Sequence, residues 1–327
     1  MHVPRRFILG LACGLLLAIG LFVSLLFTQL GQRTNSSSWA SDLIEKKEAL
    51  AAAIPGPKLL IFGGSGTTFG VSAQRIQEIT GVPSVNMGTH AGLNMDLILH
   101  LARKTARPGD TVLLVPEYEL YASMSEWEGH DDYILAHDAA FFHQMSWIDK
   151  IYMATRIPFK RIQKGFAIRR KPEVPPRPHS PYTDGASFIN GYGDETGNPA
   201  SERLLHATNL DIRSTVLVNG LYSASGFGFD QIRVFARWAK AHRVKVLATF
   251  PNIMQRAEYE GPNADAAIKT ITDFYAEVSV PVVGTAREAM MPPDDYFDTY
   301  YHLTREAAAK RSERLALALR PYLNPGK

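Results

Sequence analysis

The longest apolar stretch stands at the start of the chain. Phe7 to Phe27 reads FILGLACGLLLAIGLFVSLLF, 21 positions without a charge, and at about 1.5 Å per residue such a helix crosses a hydrocarbon core of about 30 Å. A cleaved secretion signal has a shorter apolar run and a small-x-small site, which Thr28-Gln29-Leu30-Gly31 does not offer, so residues 1–30 are expected to be a cytoplasmic N-terminus and an uncleaved anchor. Arg5 and Arg6 precede the run and no acid follows it until Asp42. This asymmetry places the N-terminus in the cytoplasm and the chain from about residue 31 outside. In a bacterium that is a single-pass inner-membrane protein with a periplasmic domain. Residues 31–57 read as a stalk, polar from Gln32 to Ser38 and mixed helical from Ser41 to Ala53.

Within residues 58–327 short apolar runs alternate with helical periodicity. Lys58–Phe62, Ser84–Met87, Thr111–Val115, Val244–Phe250 and Val280–Val283 have the length and composition of buried parallel strands. Val71–Thr80, Leu93–Thr105, Gln231–His242 and Ala264–Val278 carry apolar residues at helical spacing. A closing helix runs on from Leu303, with Thr304 as its N-cap, Glu306 at its positive end and Leu315, Leu319 and Tyr322 along one face. The alternation predicts an α/β fold: a doubly wound parallel sheet with the flavodoxin-like strand order 2-1-3-4-5.

Residues from about 122 to 215 break this rhythm, with the Pro-rich Lys171–Pro181 and the Gly-rich Ala186–Pro199. An insertion of this length reads as a cap, lid or docking element beside the strand ends where open α/β sheets bind ligands. Inside it, Ser146 to Lys171 carries eight Lys or Arg and no acid after Asp149, interleaved with Trp147, Ile151, Tyr152, Ile157, Phe159, Ile162 and Phe166 and broken at Pro158. This basic amphipathic pattern suits anionic lipid headgroups or a membrane partner. His130-Asp131-Asp132, His137-Asp138 and His143 are metal-ligand types, but no two of these histidines stand at i,i+4, so the stretch reads as polar and solvated with no metal site. Trp127, Trp147, Tyr152, Tyr182, Phe188 and Tyr192 read as packing residues of the insertion in preference to a sugar-stacking surface.

Composition narrows the class. Hydrophobic residues at 46% and charged residues at 20% are globular values, and a net charge of +3 does not support wholesale wrapping of nucleic acid. The only cysteine, Cys13, lies in the apolar run. The rest of the chain therefore has no disulfide, no cysteine zinc site and no thiol nucleophile.

The chemistry gathers at the two ends of the predicted sheet domain. After the first strand comes Gly63-Gly64-Ser65-Gly66-Thr67-Thr68-Phe69-Gly70. A dinucleotide fingerprint would need glycine at Phe69, a phosphate loop a lysine between Lys58 and Lys104, and a nucleophile elbow glycine at Thr67. With these excluded and no cofactor called for, what remains is a serine at a strand's carboxyl end, where glycines let the backbone turn tightly. Before the last helix stand Asp298 and His302. A serine nucleophile needs a base and an acid that orients the base, and in strand order 2-1-3-4-5 both segments reach the same crevice.

Three segments resemble the SGNH, or GDSL-like, hydrolases and acyltransferases. Gly64-Ser65 stands where that family has Gly-Asp-Ser; Val85 to Gly92 is similar to its second block, whose oxyanion-donating glycine maps to Gly88; and Phe297 to Leu303 resembles its last block. The likeness is nearest to membrane-anchored members, through Gly109 to Glu119 and the YDT-x-YHL-type ending, and covers most of residues 58–121 and 244–320. The resemblance implies a three-layer domain in which Ser65 attacks, His302 is the base, Asp298 orients it, and the Ser65 and Gly88 N–H groups meet the oxyanion. It also implies a glycan acceptor, an acyl donor and a membrane-bound O-acyltransferase as partner. Two departures bear on the site. The acid lies four residues before His302 instead of three, which leaves Asp298 and Asp295 open, and the third block's asparagine has no match in Pro116-Glu117-Tyr118-Glu119, so that either Asn94, Asn219 or Asn252 supplies a third donor or the hole has only the Ser65 and Gly88 N–H groups.

Overall fold

A computed structural model describes residues 5–122, 128–170, 185–203 and 208–323. In chain order the first elements are α1 (Arg5–Phe27), α2 (Asn35–Ala53), β1 (Leu59–Phe62), α3 (Ser65–Gly70), α4 (Ala73–Thr80), β2 (Ser84–Asn86), α5 (Asn94–Thr105), β3 (Thr111–Leu114) and α6 (Glu119–Ala122). The middle of the chain is helical: α7 (Glu128–His137), α8 (Ala139–Gln144), α9 (Trp147–Arg156), α10 (Phe159–Arg170) and α11 (Thr215–Asn219). Then come α12 (Phe227–Ala241), β4 (Lys245–Ala248), β5 (Ile253–Met254), α13 (Pro262–Glu277), α14 (Ala286–Ala289), β6 (Met290–Met291) and α15 (Arg305–Leu323).

The chain divides into two compact units. One comprises residues 1–41 and 128–176, the other 42–127 and 177–327. The expected insertion is therefore not one element: its first part folds with the N-terminal helix and its second part belongs to the sheet unit. The expected stalk is also different, because α2 is a continuous helix and the division falls inside it.

In the sheet unit four parallel strands pair in the order β2-β1-β3-β4. The strand expected at 280–283 meets β4 through one parallel bridge, Ala248 to Val282. Leu59, Ile61, Leu113 and Val115 point to one face and bury against Ile76 of α4 and Leu315 and Leu319 of α15. Alternate residues Leu60, Val112 and Leu114 are buried on the other face, and β1 is buried at every position. A strand covered on both sides reads as a continuous apolar run, as the sequence does here. Thr304 caps α15, its Oγ1 accepting the Ala307 N–H at 3.3 Å.

The helix expected at 71–80 is α4, two residues shorter. Ser72 caps it by accepting the Arg75 N–H at 3.1 Å, and Ser65–Gly70, expected as a glycine turn, form the separate helix α3, so the chain breaks between the two. Two ties from α15 hold this break. The buried Arg311 donates to the Gly70 carbonyl at 3.0 Å and the Phe250 carbonyl at 2.8 Å, and Ser312 Oγ accepts the Ser72 N–H at 2.8 Å.

In the other unit α1 is 23 residues long, and among the described residues it is the one helix long and apolar enough to cross a membrane. Asp132 organises the chain just beyond it. One carboxylate oxygen accepts the hydroxyls of Thr34, Ser36 and Ser37 at 2.7, 2.7 and 2.5 Å, and Arg161 pairs with the other. His130, Asp131 and Asp132 are buried, not solvated as expected, and Arg156 takes Asp131 at 2.6 Å. The basic stretch forms α9 and α10, separated at Ile157 and Pro158. Trp127, Tyr182 and Lys171–Pro181 lie outside the described residues.

Candidate active site

The turn after β1 is shaped by close backbone approaches. A Cβ on Gly63 would stand 2.4 Å from the Val115 carbonyl oxygen, and one on Gly64 2.6 Å from the Ala91 nitrogen. Only glycine fits there, which puts half-buried Ser65 at the head of α3 and at the carboxyl end of β1.

Glu117 fixes this turn from below. It is fully buried two residues past Val115 and accepts the Gly64 N–H at 3.0 Å and the Gly66 N–H at 2.6 Å. The amides on either side of Ser65 are thus both committed to one carboxylate. Burial pushes the Glu117 carboxyl above the usual range, and the two amides draw it part of the way back.

Asp298 and His302 lie in a loop closed by the antiparallel bridge Tyr296 to Leu303 and by the Phe297 N–H on the His302 carbonyl at 2.8 Å. Thr299 Oγ1 accepts the N–H groups of Tyr301 and His302, which tightens the five-residue turn. The extra residue relative to the family pattern is absorbed in this way: Asp298 Oδ1 lies 2.9 Å from His302 Nδ1, and both side chains are buried. Asp298, and not Asp295, is the imidazole's partner.

Two observations bring this imidazole to the Ser65 turn. His302 stacks on Phe69, one helical turn beyond Ser65, with ring centroids 4.3 Å apart and planes at 15°. Its charge also acts on Glu117, which clasps the Ser65 turn. Among the described residues no hydrogen bond joins Ser65 Oγ to His302; such bonds often tighten only when substrate binds. His90 lies close by, and burial, reinforced by the His302 charge, lowers its pKa to about 4. Its Nδ1 accepts the Gly92 N–H at 3.0 Å.

The second oxyanion donor differs from expectation. The Gly88 N–H donates to Asn86 Oδ1 at 2.9 Å, and the Gly88 carbonyl accepts from the buried Lys47 Nζ at 2.7 Å. Burial lowers the Lys47 pKa to about 7, against the pull of Glu195 and Asp194. Of the three asparagines, Asn252 donates to the Tyr301 carbonyl at 2.5 Å, Asn94 is buried at the start of α5, and Asn219 is exposed.

Sequence reasoning missed the double role of the strand end Glu117-Tyr118-Glu119. Glu117 holds the serine turn, while Glu119 accepts the Tyr301 hydroxyl at 2.8 Å and so holds the histidine loop. The signal was present: two acids just past the carboxyl end of the strand that pairs with β1. A cleft of about 660 Å3 shares Phe69 with the histidine stack and is lined by polar and apolar residues alike, among them Ser72, Glu195, Arg305 and Glu306 with Val71 and Ala308. Tyr192 packs against the core on this side, and Phe188 lies against Gly197. Among the described residues no three His, Cys, Asp or Glu side chains are grouped to hold a metal ion.

Compared with protein-family models and with curated proteins, the chain matches none.

Proposed function

We propose that the chain is a membrane-anchored, extracytoplasmic serine O-acyltransferase or esterase acting on acyl esters of a cell-envelope glycan. The observation that carries this reading is the buried Asp298–His302 pair, stacked on Phe69 beside a serine held at a strand end. Asp298 accepts from Nδ1, which leaves Nε2 unprotonated and able to take a proton. In the reaction His302 removes the Ser65 Oγ proton as Oγ bonds to the acyl carbonyl carbon, and the carbonyl oxygen becomes an oxyanion at the Ser65 N–H. The imidazolium returns its proton to the leaving alcohol, and the acyl-enzyme is resolved by a sugar hydroxyl or by water. The cleft beside Phe69, with Ser72, Glu195, Arg305 and Glu306 among its lining, offers polar groups to a hydroxyl-bearing acceptor, and the resemblance to anchored SGNH members supports an acyl donor delivered by a membrane-bound O-acyltransferase, on a three-layer domain.

A second reading, a non-catalytic binding or assembly subunit of a glycan modification or export complex, is favoured by one observation. The Gly88 N–H is taken by Asn86, and a buried carboxylate, Glu117, occupies the third-block segment where the family has its donor asparagine. Losing one oxyanion donor costs about 2.7–4 kcal/mol of transition-state stabilisation. A fluorophosphonate probe separates the two readings. The catalytic reading expects labelling of the wild-type chain, poor labelling of His302→Ala and none of Ser65→Ala; equal labelling of wild type and Ser65→Ala refutes it.

A further inference from the structure

The unit that contains α1 has a groove the serine chemistry does not use. α9 and the C-terminal half of α1 enclose a space of about 460 Å3, with Ile19, Phe22 and Phe27 on one side and Phe142, Ile151 and Met153 on the other. Lys150 is the one charged residue of its lining. The Lys150 ammonium sits 5.1 Å from the Trp147 ring centroid and 5.3 Å from that of Phe142, at the edge of an otherwise apolar space.

α9 also leaves apolar side chains exposed, at the groove (Trp147, Ile151) and beside it (Ile148, Tyr152). Trp147, Ile148, Ile151 and Tyr152 are 71, 78, 63 and 55% exposed. A monomer in water seldom leaves four such neighbours uncovered, since removing apolar surface from water is favourable. α1 also exposes large apolar side chains, Phe7 to Leu21 and Phe27 among them.

We propose that the groove is a lipid site: it holds an acyl chain of an anionic phospholipid of the outer leaflet, with the phosphate at Lys150, and α9 lies immersed beside the anchor. Three observations select this occupant. One wall of the groove is the helix that is apolar enough to span the bilayer, so the medium reaching its open side is hydrocarbon. The α1 residues lining it run from Ala18 to Phe27, which at about 1.5 Å per residue is about the depth of one leaflet. Lys150 is joined by exposed Lys160 and Lys164 on α10, and the described chain beyond Asp149 in this unit carries no acid to oppose them. Each such cation near an anionic surface adds to the attraction. The proposal rests on the reading of α1 as a membrane span and is independent of the serine chemistry.

The test uses the full chain in lipid nanodiscs that contain a trace of phospholipid with a photoactivatable acyl chain, carrying either a phosphatidylglycerol or a phosphatidylcholine headgroup. Peptide mapping is expected to find label at Phe7–Leu17 with both probes and label at Phe142–Thr155 mainly with phosphatidylglycerol. Ala154→Trp, which fills the groove, is expected to lower the second signal about tenfold and leave the first unchanged. Lys150→Glu is expected to abolish the headgroup preference. Unchanged labelling of Phe142–Thr155 in Ala154→Trp overturns the groove assignment, and equal wild-type labelling by both probes overturns the anionic headgroup. Label at Phe7–Leu17 with none at Phe142–Thr155 also overturns it and assigns the face to a partner's membrane helix. No label at Phe7–Leu17 marks instead the failure of the membrane-span reading.

Discussion

Replacing Glu117 isolates the force that holds the serine turn. The carboxylate accepts the Gly64 and Gly66 amides at 3.0 and 2.6 Å in a fully buried position, and a hydrogen bond to a charged group is worth about 1.5–3 kcal/mol. Because a tenfold change in an equilibrium is about 1.4 kcal/mol, Glu117→Ala is expected to raise the local exchange rate of each amide by about ten- to a hundredfold. Glu117→Gln keeps one acceptor oxygen and turns an NH2 toward the second amide, so one of the two amides should lose protection and the other keep it. The assay is amide hydrogen exchange of the full chain in detergent, read at the peptide spanning Gly63 to Phe69, with a peptide from β4 as the reference. Unchanged protection at Gly64 and Gly66 in Glu117→Ala would refute the reasoning. So would equal loss of both amides in Glu117→Gln with β4 unaffected.

Three further outcomes are expected. Asp298→Asn presents an N–H to His302 Nδ1 and forces the proton onto Nε2, so fluorophosphonate labelling of Ser65 should slow about 10^4-fold, whereas Asp295→Asn should leave the rate unchanged. Lys47 has a folded pKa near 7 against an ordinary 10.5, so the unfolded chain binds the extra proton between those values; the apparent Tm of wild type relative to Lys47→Met should rise with pH from about 7 to 10.5 and be flat below. Gly63→Ala drives a Cβ to 2.4 Å from the Val115 carbonyl oxygen and should lower stability by about 1–3 kcal/mol in a denaturant titration; a loss within error would count against the close approach.

The sheet was legible because β1 and the buried part of β3 are covered on both faces, so LLIF carries no polar position and TVLL only the half-buried Thr111 at its start. The strand at 280–283 was legible as an apolar run but not as a full partner: Pro281 offers only its carbonyl, to Ala248, and one bridge forms. Ser65, Asp298 and His302 were readable as a candidate set because they are distinct polar residue types at element ends. Which aspartate serves His302 was not, since that depends on the Thr299 turn and the Tyr296 to Leu303 bridge. Gly88 was misread for a related reason. A backbone N–H carries no mark in the sequence of which acceptor it faces, and the adjacent Asn86 side chain reaches it first. The insertion divided between the two units because Asp132 and Arg161 pull its first half onto the segment after α1, a pairing about a hundred positions long in sequence that local periodicity does not register.

The ties from α15 to the serine turn also set a timetable. Gly70 and Arg311 stand 241 positions apart in the chain, so at about 5–20 residues per second the turn is synthesised roughly 12–48 s before the helix that braces it. His302, a few residues ahead of that helix, arrives hardly sooner. On the proposed reading, a growing chain therefore emerges with Ser65 but without His302, and a product cut short before residue 302 carries a serine with no such imidazole to take its proton.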